Sequence, residues 1–289
     1  MNLFTYRKAA VTAAATLALI PASALAATIN GGPGNERLRG TNVADTINGN
    51  AGNDRIFGFG GDDRINGGAG NDRLFGGAGN DTIAGVQGND LINGGAGDDT
   101  ISGDANGTGD LTSFDRLYGG PGNDTIHGGD SADRIGGGTG NDTLFGENGN
   151  DRMAGGSGDD VQDGGAGNDV IFANLGQDTS NGGDGNDVLW AQARGDVHPG
   201  PNGAVDQVGD TLNGGNGNDT FRTRDGEVDR ITCGDGKDTA LLDQVDVITD
   251  ATAANPNGSC EKVVRKAPRA ADSKAEDVQA NPAEAKVTQ

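Results

Sequence analysis

Carboxylate side chains recur at an interval of nine residues through the middle of the chain, and each follows a glycine-rich turn. The unit reads Gly-Gly-x-Gly-Asn-Asp in residues 67–72 and again in 76–81. Its phase is unbroken over residues 31–102, resumes over 119–190 and returns once at 214–219. Oxygen ligands suit a hard cation such as Ca²⁺, whereas two histidines and two cysteines are too few for an array of zinc sites. The sixth-place aspartates are therefore candidate cation ligands.

The residue types of the unit indicate the element that positions these carboxylates. Glycine at the first, second and fourth places permits positive φ and close backbone approach, and asparagine at the fifth place tolerates the left-handed region. One apolar residue, mostly Ile or Leu, then lies between two outward-facing residues. This triplet predicts a three-residue strand after six turn residues. One apolar side chain per nine residues cannot fill an ordinary core, but it can line the thin interior of a solenoid.

Two units make one coil of 18 residues, so each unit stacks on the unit two positions along the chain. The aspartates then form two rows, one along each edge. Adjacent coils lie about 4.8 Å apart, and carboxylates at that distance repel unless a cation lies between them. The rows before the first break are Asp54, Asp72, Asp90 and Asp63, Asp81, Asp99; those after it are Asp124, Asp142, Asp160, Asp178 and Asp133, Asp151, Asp169, Asp187; Asp219 belongs to the last good unit.

The composition argues against several classes of protein. The 289 residues include 55 Gly, 43 acidic residues and 21 Lys or Arg, for a formal net charge of −22. With 33% hydrophobic residues, the chain lacks the Leu, Ile, Val and Phe of an ordinary packed domain. A nucleic-acid binder needs a basic face, and this chain is acidic nearly everywhere. Low hydrophobicity with high charge is typical of disorder. Either the chain is disordered, or a bound cation neutralises it and lets it fold.

The units resemble the G-G-x-G-x-D-x-U-x nonapeptide of RTX (hemolysin-type) calcium-binding proteins over roughly residues 31–219. The resemblance implies an all-β fold, a right-handed parallel β-roll with Ca²⁺ held between turns two units apart. It places the acidic ligand on the sixth-place aspartates. It places carbonyl ligands on first-, second- and fourth-place residues such as Gly67, Gly68, Gly70, Gly76, Gly77 and Gly79.

The number of Ca²⁺ ions depends on whether the breaks interrupt the stacks. If they do, the stacking rule gives about ten sites. Ten Ca²⁺ ions carry roughly +20, close to the charge that must be cancelled.

Two departures from the repeat predict weak points in the solenoid. Glu36 stands in an aspartate place beside Pro33, and Gln162 and Ser180 replace the inward aliphatic residue 18 apart on one sheet, where we expect the weakest core.

The termini carry different signals from the repeats. Arg7 and Lys8, an apolar stretch over residues 9–20 and an Ala-x-Ala pattern ending at Ala26 predict a cleavable export signal, the alternative being an uncleaved anchor. Export predicts a disulfide between the two cysteines, although two free thiols remain an alternative.

The sequence predicts eight segments. In chain order they are a signal 1–26, an N-terminal cap with degenerate repeats 27–48, a β-roll block 49–102, an insertion 103–118, a second block 119–190, an insertion 191–213, degenerate repeats with a disulfide-closed cap 214–265 that contains Cys233 and Cys260, and a disordered tail 266–289.

These features favour a secreted, non-enzymatic calcium-binding protein, structural or associated with the cell surface, that folds on binding metal. No membrane-spanning segment remains after signal cleavage, and no catalytic cluster lies off the nine-residue period. His127 and His198 are expected to be solvated surface residues.

The alternative is an adhesin or matrix protein. Its outward aromatic pairs, Phe57 with Phe75 and Phe172 with Trp190, would bind a glycan or a protein partner, unless the two insertions cover them.

Overall fold

The protein is a parallel β-solenoid of about 11 turns, which confirms the predicted fold class. The structure is a computed structural model that describes residues 25–104, 113–191 and 209–266. Two sheets run the length of the solenoid, because each coil contributes one strand to each sheet. The predicted signal 1–26, apart from its last two residues, and the predicted tail beyond residue 266 lie outside the described residues.

Both sheets are built from parallel pairs of successive coils. The first sheet contains, in spatial order, β1 (Thr28–Asn30), β3 (Thr46–Ala51), β5 (Arg64–Ala69), β7 (Thr82–Gln87), β9 (Thr100–Asp104), β11 (Thr125–Asp130), β13 (Thr143–Asn148), β15 (Val161–Ala166), β17 (Thr179–Asp184), β19 (Thr211–Gly217), β21 (Arg230–Thr232) and β24 (Val247–Ile248), with β22 (Asp235–Gly236) also paired to β19. The second contains β2 (Arg37–Arg39), β4 (Arg55–Gly60), β6 (Arg73–Ala78), β8 (Leu91–Ala96), β10 (Arg116–Pro121), β12 (Arg134–Thr139), β14 (Arg152–Ser157), β16 (Val170–Leu175), β18 (Val188–Trp190), β20 (Thr220–Thr223), β23 (Thr239–Leu242) and β25 (Lys262–Arg265).

The strands are longer than the predicted triplet. A typical strand such as β6 has six residues and continues through the first three places of the next unit. Only the fourth to sixth places form the corner. The prediction of three strand residues was wrong because the glycines of the turn also pair in register, as Gly77 does with Gly95. Pairing satisfies backbone groups that a six-residue turn would leave without partners.

The interior consists of one aliphatic file per sheet, in the predicted register of 18 residues. Ile65 lies opposite Ile83, and Leu74 lies opposite Ile92. All four are at most 3% exposed. The narrow interior therefore depends on contacts between successive coils rather than on a broad core.

The predicted weak point lies in the first sheet, where Gln162 pairs with Ser180. Both side chains are 1% exposed. The Ser180 hydroxyl donates to Oε1 of Gln162 at 2.9 Å, and Nε2 of Gln162 donates to the carbonyl oxygen of Phe172 at 3.1 Å. The polar pair is therefore hydrogen-bonded inside the aliphatic file. Its effect on stability remains a prediction.

The breaks in the repeat do not interrupt the stack. Ile101 pairs with Ile126 across the first break, and Ser180 pairs with Leu212 across the second. Residues 105–112 and 192–208 lie outside the described residues, but the coils on either side of them are neighbours. The premise behind a count of about ten ions was therefore wrong. The predicted domain boundaries stay predictions.

The C-terminal end is closed by the predicted disulfide between Cys233 and Cys260, whose Cα atoms lie 5.2 Å apart. The Ser259 hydroxyl accepts hydrogen bonds from the backbone N–H groups of Cys233 and Gly234. The last strand, β25, pairs with β23. These contacts cover the end of the solenoid, which would otherwise expose strand edges.

Candidate metal centre

Each sixth-place aspartate is tied to a neighbouring coil through one carboxylate oxygen. Oδ1 of Asp72 accepts a hydrogen bond of 2.7 Å from the backbone N–H of Asp54, and Oδ1 of Asp81 accepts one of 2.8 Å from Asp63. These bonds repeat along two files. The first file is Asp54, Asp72, Asp90, Asp115, Asp133, Asp151, Asp169, Asp187, Asp219 and Asp238. The second file is Asp45, Asp63, Asp81, Asp99, Asp124, Asp142, Asp160, Asp178, Asp210 and Asp229.

The other carboxylate oxygen, Oδ2, is buried without a hydrogen-bond partner among the described residues. This holds for every predicted site aspartate, and each of these residues is at most 2% exposed. A buried carboxylate oxygen without a donor or a counter-ion is costly, so such groups are normally paired or coordinate a metal. The set is Asp54, Asp63, Asp72, Asp81, Asp90, Asp99, Asp124, Asp133, Asp142, Asp151, Asp160, Asp169, Asp178, Asp187 and Asp219.

A carbonyl oxygen lies near the bare carboxylate oxygen at many of the first-place glycines. A methyl group placed on Gly76 would lie closer than 3.0 Å to Oδ2 of Asp81 and also to the carbonyl oxygen of Gly94, one coil further along. Gly67 has the same surroundings, with Oδ2 of Asp72 and the carbonyl oxygen of Gly85. The convergence of oxygen atoms explains why first-place residues are mostly glycine, with Ala173 as an exception.

The other glycine places have a different reason. Gly77 and Gly79, at the second and fourth places, have φ of 124° and 123°, which favours glycine. A Cβ atom at either place would also collide with a carbonyl oxygen of the preceding coil. The expectation that asparagine at the fifth place adopts the left-handed backbone region was wrong. Asn71 does not lie in the left-handed region. Its side chain instead accepts a hydrogen bond of 2.9 Å from the backbone N–H of Asn89.

Burial raises the pKa of the file carboxylates. Desolvation, together with the carboxylates of Asp115, Asp72 and Asp104, raises the pKa of Asp90 to about 9. Desolvation and the neighbouring Asp210 raise the pKa of Asp178 to about 9. Other file carboxylates shift less: the pKa values of Asp72 and Asp219 rise to about 6. The exception is Asp45, whose pKa is lowered because desolvation is outweighed by hydrogen bonds from Ala27 and Thr41. The metal-free files therefore favour protonated carboxyl groups over charged ones.

The donor set is made of oxygen atoms alone. Among the described residues, no three His, Cys, Asp or Glu side chains converge as a ready-made cage. A cation would therefore take one or two carboxylates and complete its shell with turn carbonyl oxygens. Ca²⁺ accepts six to eight oxygen ligands in flexible geometry, while Mg²⁺ prefers to keep its waters. The residues present fit Ca²⁺.

The structure places all predicted site aspartates in the two files, but it also adds members that sequence reasoning missed. Asp115, Asp210, Asp229 and Asp238 belong to the files although their turns lack the full Gly-Gly-x-Gly pattern. Each is followed by Arg or Thr and then a residue that faces inward, as in Asp229-Arg230-Ile231. That short signal could have identified them without the turn glycines.

The outward aromatic pairs lie where the sequence predicts, but their rings are not freely exposed. Phe57 and Phe75 stack with centroids 5.1 Å apart, and Phe172 and Trp190 with centroids 5.8 Å apart. Phe57 is 8% and Phe172 is 4% exposed, while Trp190 is half-buried.

The expectation of solvated histidines is wrong in part. Nδ1 of His127 lies 2.8 Å from Oε1 of Glu147, and its ring stacks on Phe145. His198 lies outside the described residues. The part of the chain that the structure describes has no helix with the length and apolarity needed to cross a membrane.

The comparisons with known proteins agree with this geometry. The family described as "RTX calcium-binding nonapeptide repeat (4 copies)" matches over more than half of the chain. The matches are residues 30–58, 39–74, 57–92, 75–106, 112–144, 132–162, 163–189 and 209–240. A search of curated proteins gave no match. The chain therefore belongs to the RTX calcium-binding nonapeptide repeat family, and its repeats and β-roll imply that it binds Ca²⁺.

Proposed function

We propose that the two aspartate files are the Ca²⁺ sites and that filling them drives folding of a secreted, non-enzymatic, structural protein. One observation carries the proposal: every predicted site aspartate keeps a buried Oδ2 without a hydrogen-bond partner among the described residues. The unbroken files offer room for more ions than the predicted ten. The predicted carbonyl ligands at Gly67, Gly68, Gly70, Gly76, Gly77 and Gly79 remain part of this proposal.

Metal and folding are coupled because the files do not exist in the unfolded chain. Without cations, a net charge of −22 expands the chain by self-repulsion. The low Ca²⁺ concentration of a cytosol keeps it in this state. Outside the cell, sites of the extracellular class, with Kd of about 10⁻⁴–10⁻³ M, condense it into a rigid rod. The predicted export signal in residues 1–26 fits this sequence of events.

A matched pair of substitutions tests the assignment. Asp81 in the second file and Asp62 at a fifth place each accept one backbone N–H through Oδ1. Asp81→Asn replaces the buried Oδ2 by an amide nitrogen, whereas Asp62→Asn removes the same charge from an exposed corner. We expect Asp81→Asn to lower the number of bound Ca²⁺ ions in calorimetry and to raise the Ca²⁺ midpoint of folding in circular dichroism. Asp62→Asn should leave both near the wild-type values.

The wild-type titration can refute the whole proposal. A chain whose circular dichroism does not change up to about 10 mM Ca²⁺, well above the affinity range of extracellular sites, does not fold on calcium. Equal effects of the two substitutions would show that bulk charge, rather than the files, binds the metal.

A second role, attachment to a glycan or protein partner, is favoured by one face of the solenoid. Phe57 and Phe75 stack on the outer side of the second sheet, beside Arg55. Each aromatic pair offers only one half-buried ring, Phe75 or Trp190, because Phe57 and Phe172 are buried.

A further inference from the structure

Arginine side chains form a file on the outer face of the second sheet, interrupted once at Leu91. Arg37, Arg55 and Arg73 lie directly opposite one another on β2, β4 and β6. The file resumes beyond Leu91 with Arg116, Arg134 and Arg152. Like charges directly opposite on paired strands are destabilising. The expectation of a surface that is acidic nearly everywhere is therefore wrong for this face.

The first sheet shows that the fold does not require this arrangement. The equivalent places on it are mostly threonine, such as Thr46, Thr82 and Thr100. Arg64 stands between Thr46 and Thr82, and Arg230 stands between Thr211 and Val247. The arginines are thus gathered on one face of a strongly acidic chain.

The N-terminal arginines of the file have no acidic partners. Within the described residues, no carboxylate lies within 4.0 Å of Arg37, Arg55 or Arg73. The guanidinium carbons of Arg37 and Arg55 instead lie 5.3 Å and 5.0 Å from the centre of the Phe57 ring. A guanidinium near the face of a ring keeps its full charge and can still donate hydrogen bonds to a ligand. All three arginines are exposed.

We propose that this arginine face, centred on Arg37, Arg55 and Arg73, binds a linear anionic polysaccharide. The coils present one cation about every 4.8 Å, and a linked sugar chain advances by about one ring per such step. A glycan with one carboxylate or sulfate per sugar therefore carries negative charge at nearly the spacing of the arginines along the face. Single-stranded nucleic acid fits less well, since it needs exposed rings for base stacking, and Phe57 is 8% exposed.

Ca²⁺ assembles the coils that carry the arginine face, so the glycan proposal rests on the proposed calcium function. The metal-free chain carries a net charge of −22 and repels a polyanion. Ca²⁺ in the aspartate files cancels the negative charge and also builds the coils that bring the arginines into one row. Binding of the glycan therefore requires Ca²⁺.

The test uses the full chain with chondroitin sulfate as the probe, since it carries about one negative charge per sugar. Binding is measured by calorimetry at about 1 mM Ca²⁺ and at low salt. Arg55→Gln/Arg73→Gln is compared with Arg64→Gln/Arg230→Gln, which removes the same charge from exposed arginines of the other sheet. We expect the first double variant to bind roughly tenfold more weakly and the second to stay within about twofold of wild type.

Neutral dextran and oligo(dT) complete the experiment. Both should fail to bind, and excess chelator should abolish binding of chondroitin sulfate. Equal loss in the two double variants would overturn the site, and equal binding of oligo(dT) would overturn the glycan. If the chain folds with Ca²⁺ in circular dichroism but does not bind chondroitin sulfate, this proposal is wrong while the calcium function stands. If it does not fold with Ca²⁺, both are wrong.

Discussion

The regular coils from β3 to β18 and the C-terminal cap from β19 to β25 share one strand register but balance their buried carboxylates differently. In the regular coils, each predicted site aspartate keeps one oxygen without a partner among the described residues. In the cap, Oδ2 of Asp246 accepts hydrogen bonds from the Thr223 hydroxyl at 2.7 Å and from the backbone N–H of Asp243 at 2.8 Å. The Arg265 guanidinium also donates to the carbonyl oxygens of Asp243 and Asp246.

The cap adds a covalent link and a larger buried side chain. Cys233 and Cys260 are joined, and Phe221 is fully buried. The difference is limited to Asp246, because five other aspartates of the cap still keep an Oδ2 without a partner among the described residues: Asp219, Asp225, Asp229, Asp238 and Asp243. The cap therefore also offers oxygen ligands to a cation, but its disulfide and the larger buried ring of Phe221 give it support that the regular coils lack.

The largest expected effect separates the two regions by removing Ca²⁺. In excess chelator, the backbone amides of residues 46–104 and 113–190 should lose protection from hydrogen exchange. Amides of β20, β23 and β25 should keep part of theirs. Hydrogen exchange followed by mass spectrometry measures both regions in one sample, and Mg²⁺ in place of Ca²⁺ is the control. Simultaneous loss of protection in both regions would show that the cap depends on the coils.

A pH titration in excess chelator tests whether protonation of the buried aspartates orders the regular coils when Ca²⁺ is absent. An aspartate whose folded pKa is raised to about 9, as for Asp90 and Asp178, binds more protons folded than unfolded, where its pKa is about 3.9. The metal-free coils should therefore be most ordered near pH 4 and should lose order as the pH rises toward about 9. With Ca²⁺ the trend reverses, because ligands must be deprotonated. Circular dichroism with and without Ca²⁺ measures both trends, and parallel curves would contradict this account.

The sequence was sufficient for the parts of the molecule that repeat. A period of nine with one aliphatic residue predicted the solenoid, the 18-residue register and the aspartates of both files. It failed where backbone pairing extends past the triplet, as at Gly77, and where a file member lacks turn glycines, as at Asp115. The 18-residue rule that pairs Phe57 with Phe75 also places Arg37, Arg55 and Arg73 side by side, but the negative charge of the whole chain hid a local row of positive charge.

Removing the disulfide tests how much it contributes to the stability of the cap. Cys233→Ser/Cys260→Ser removes a link between residues separated by 27 positions, which lowers the free energy of unfolding by roughly 3 kcal/mol through loop-closure entropy. We expect faster hydrogen exchange in β20, β23 and β25 at saturating Ca²⁺, with little change in β3 to β8. Reduction of the wild-type protein with a thiol is the independent control. An unchanged cap would mean that packing around Phe221 is sufficient.

The smallest expected effect concerns the polar pair inside the regular coils. Ser180→Ala leaves Oε1 of Gln162 buried without its donor and should cost about 1–2 kcal/mol in the free energy of unfolding at saturating Ca²⁺. Adding Gln162→Leu should recover most of this loss, because replacing both partners by apolar groups removes the unsatisfied atom. Chemical denaturation of the wild type, both single variants and the double variant gives the coupling energy. Additive losses would show that Gln162 finds another partner, and a double variant more stable than the wild type would establish this pair as the weakest part of the aliphatic file.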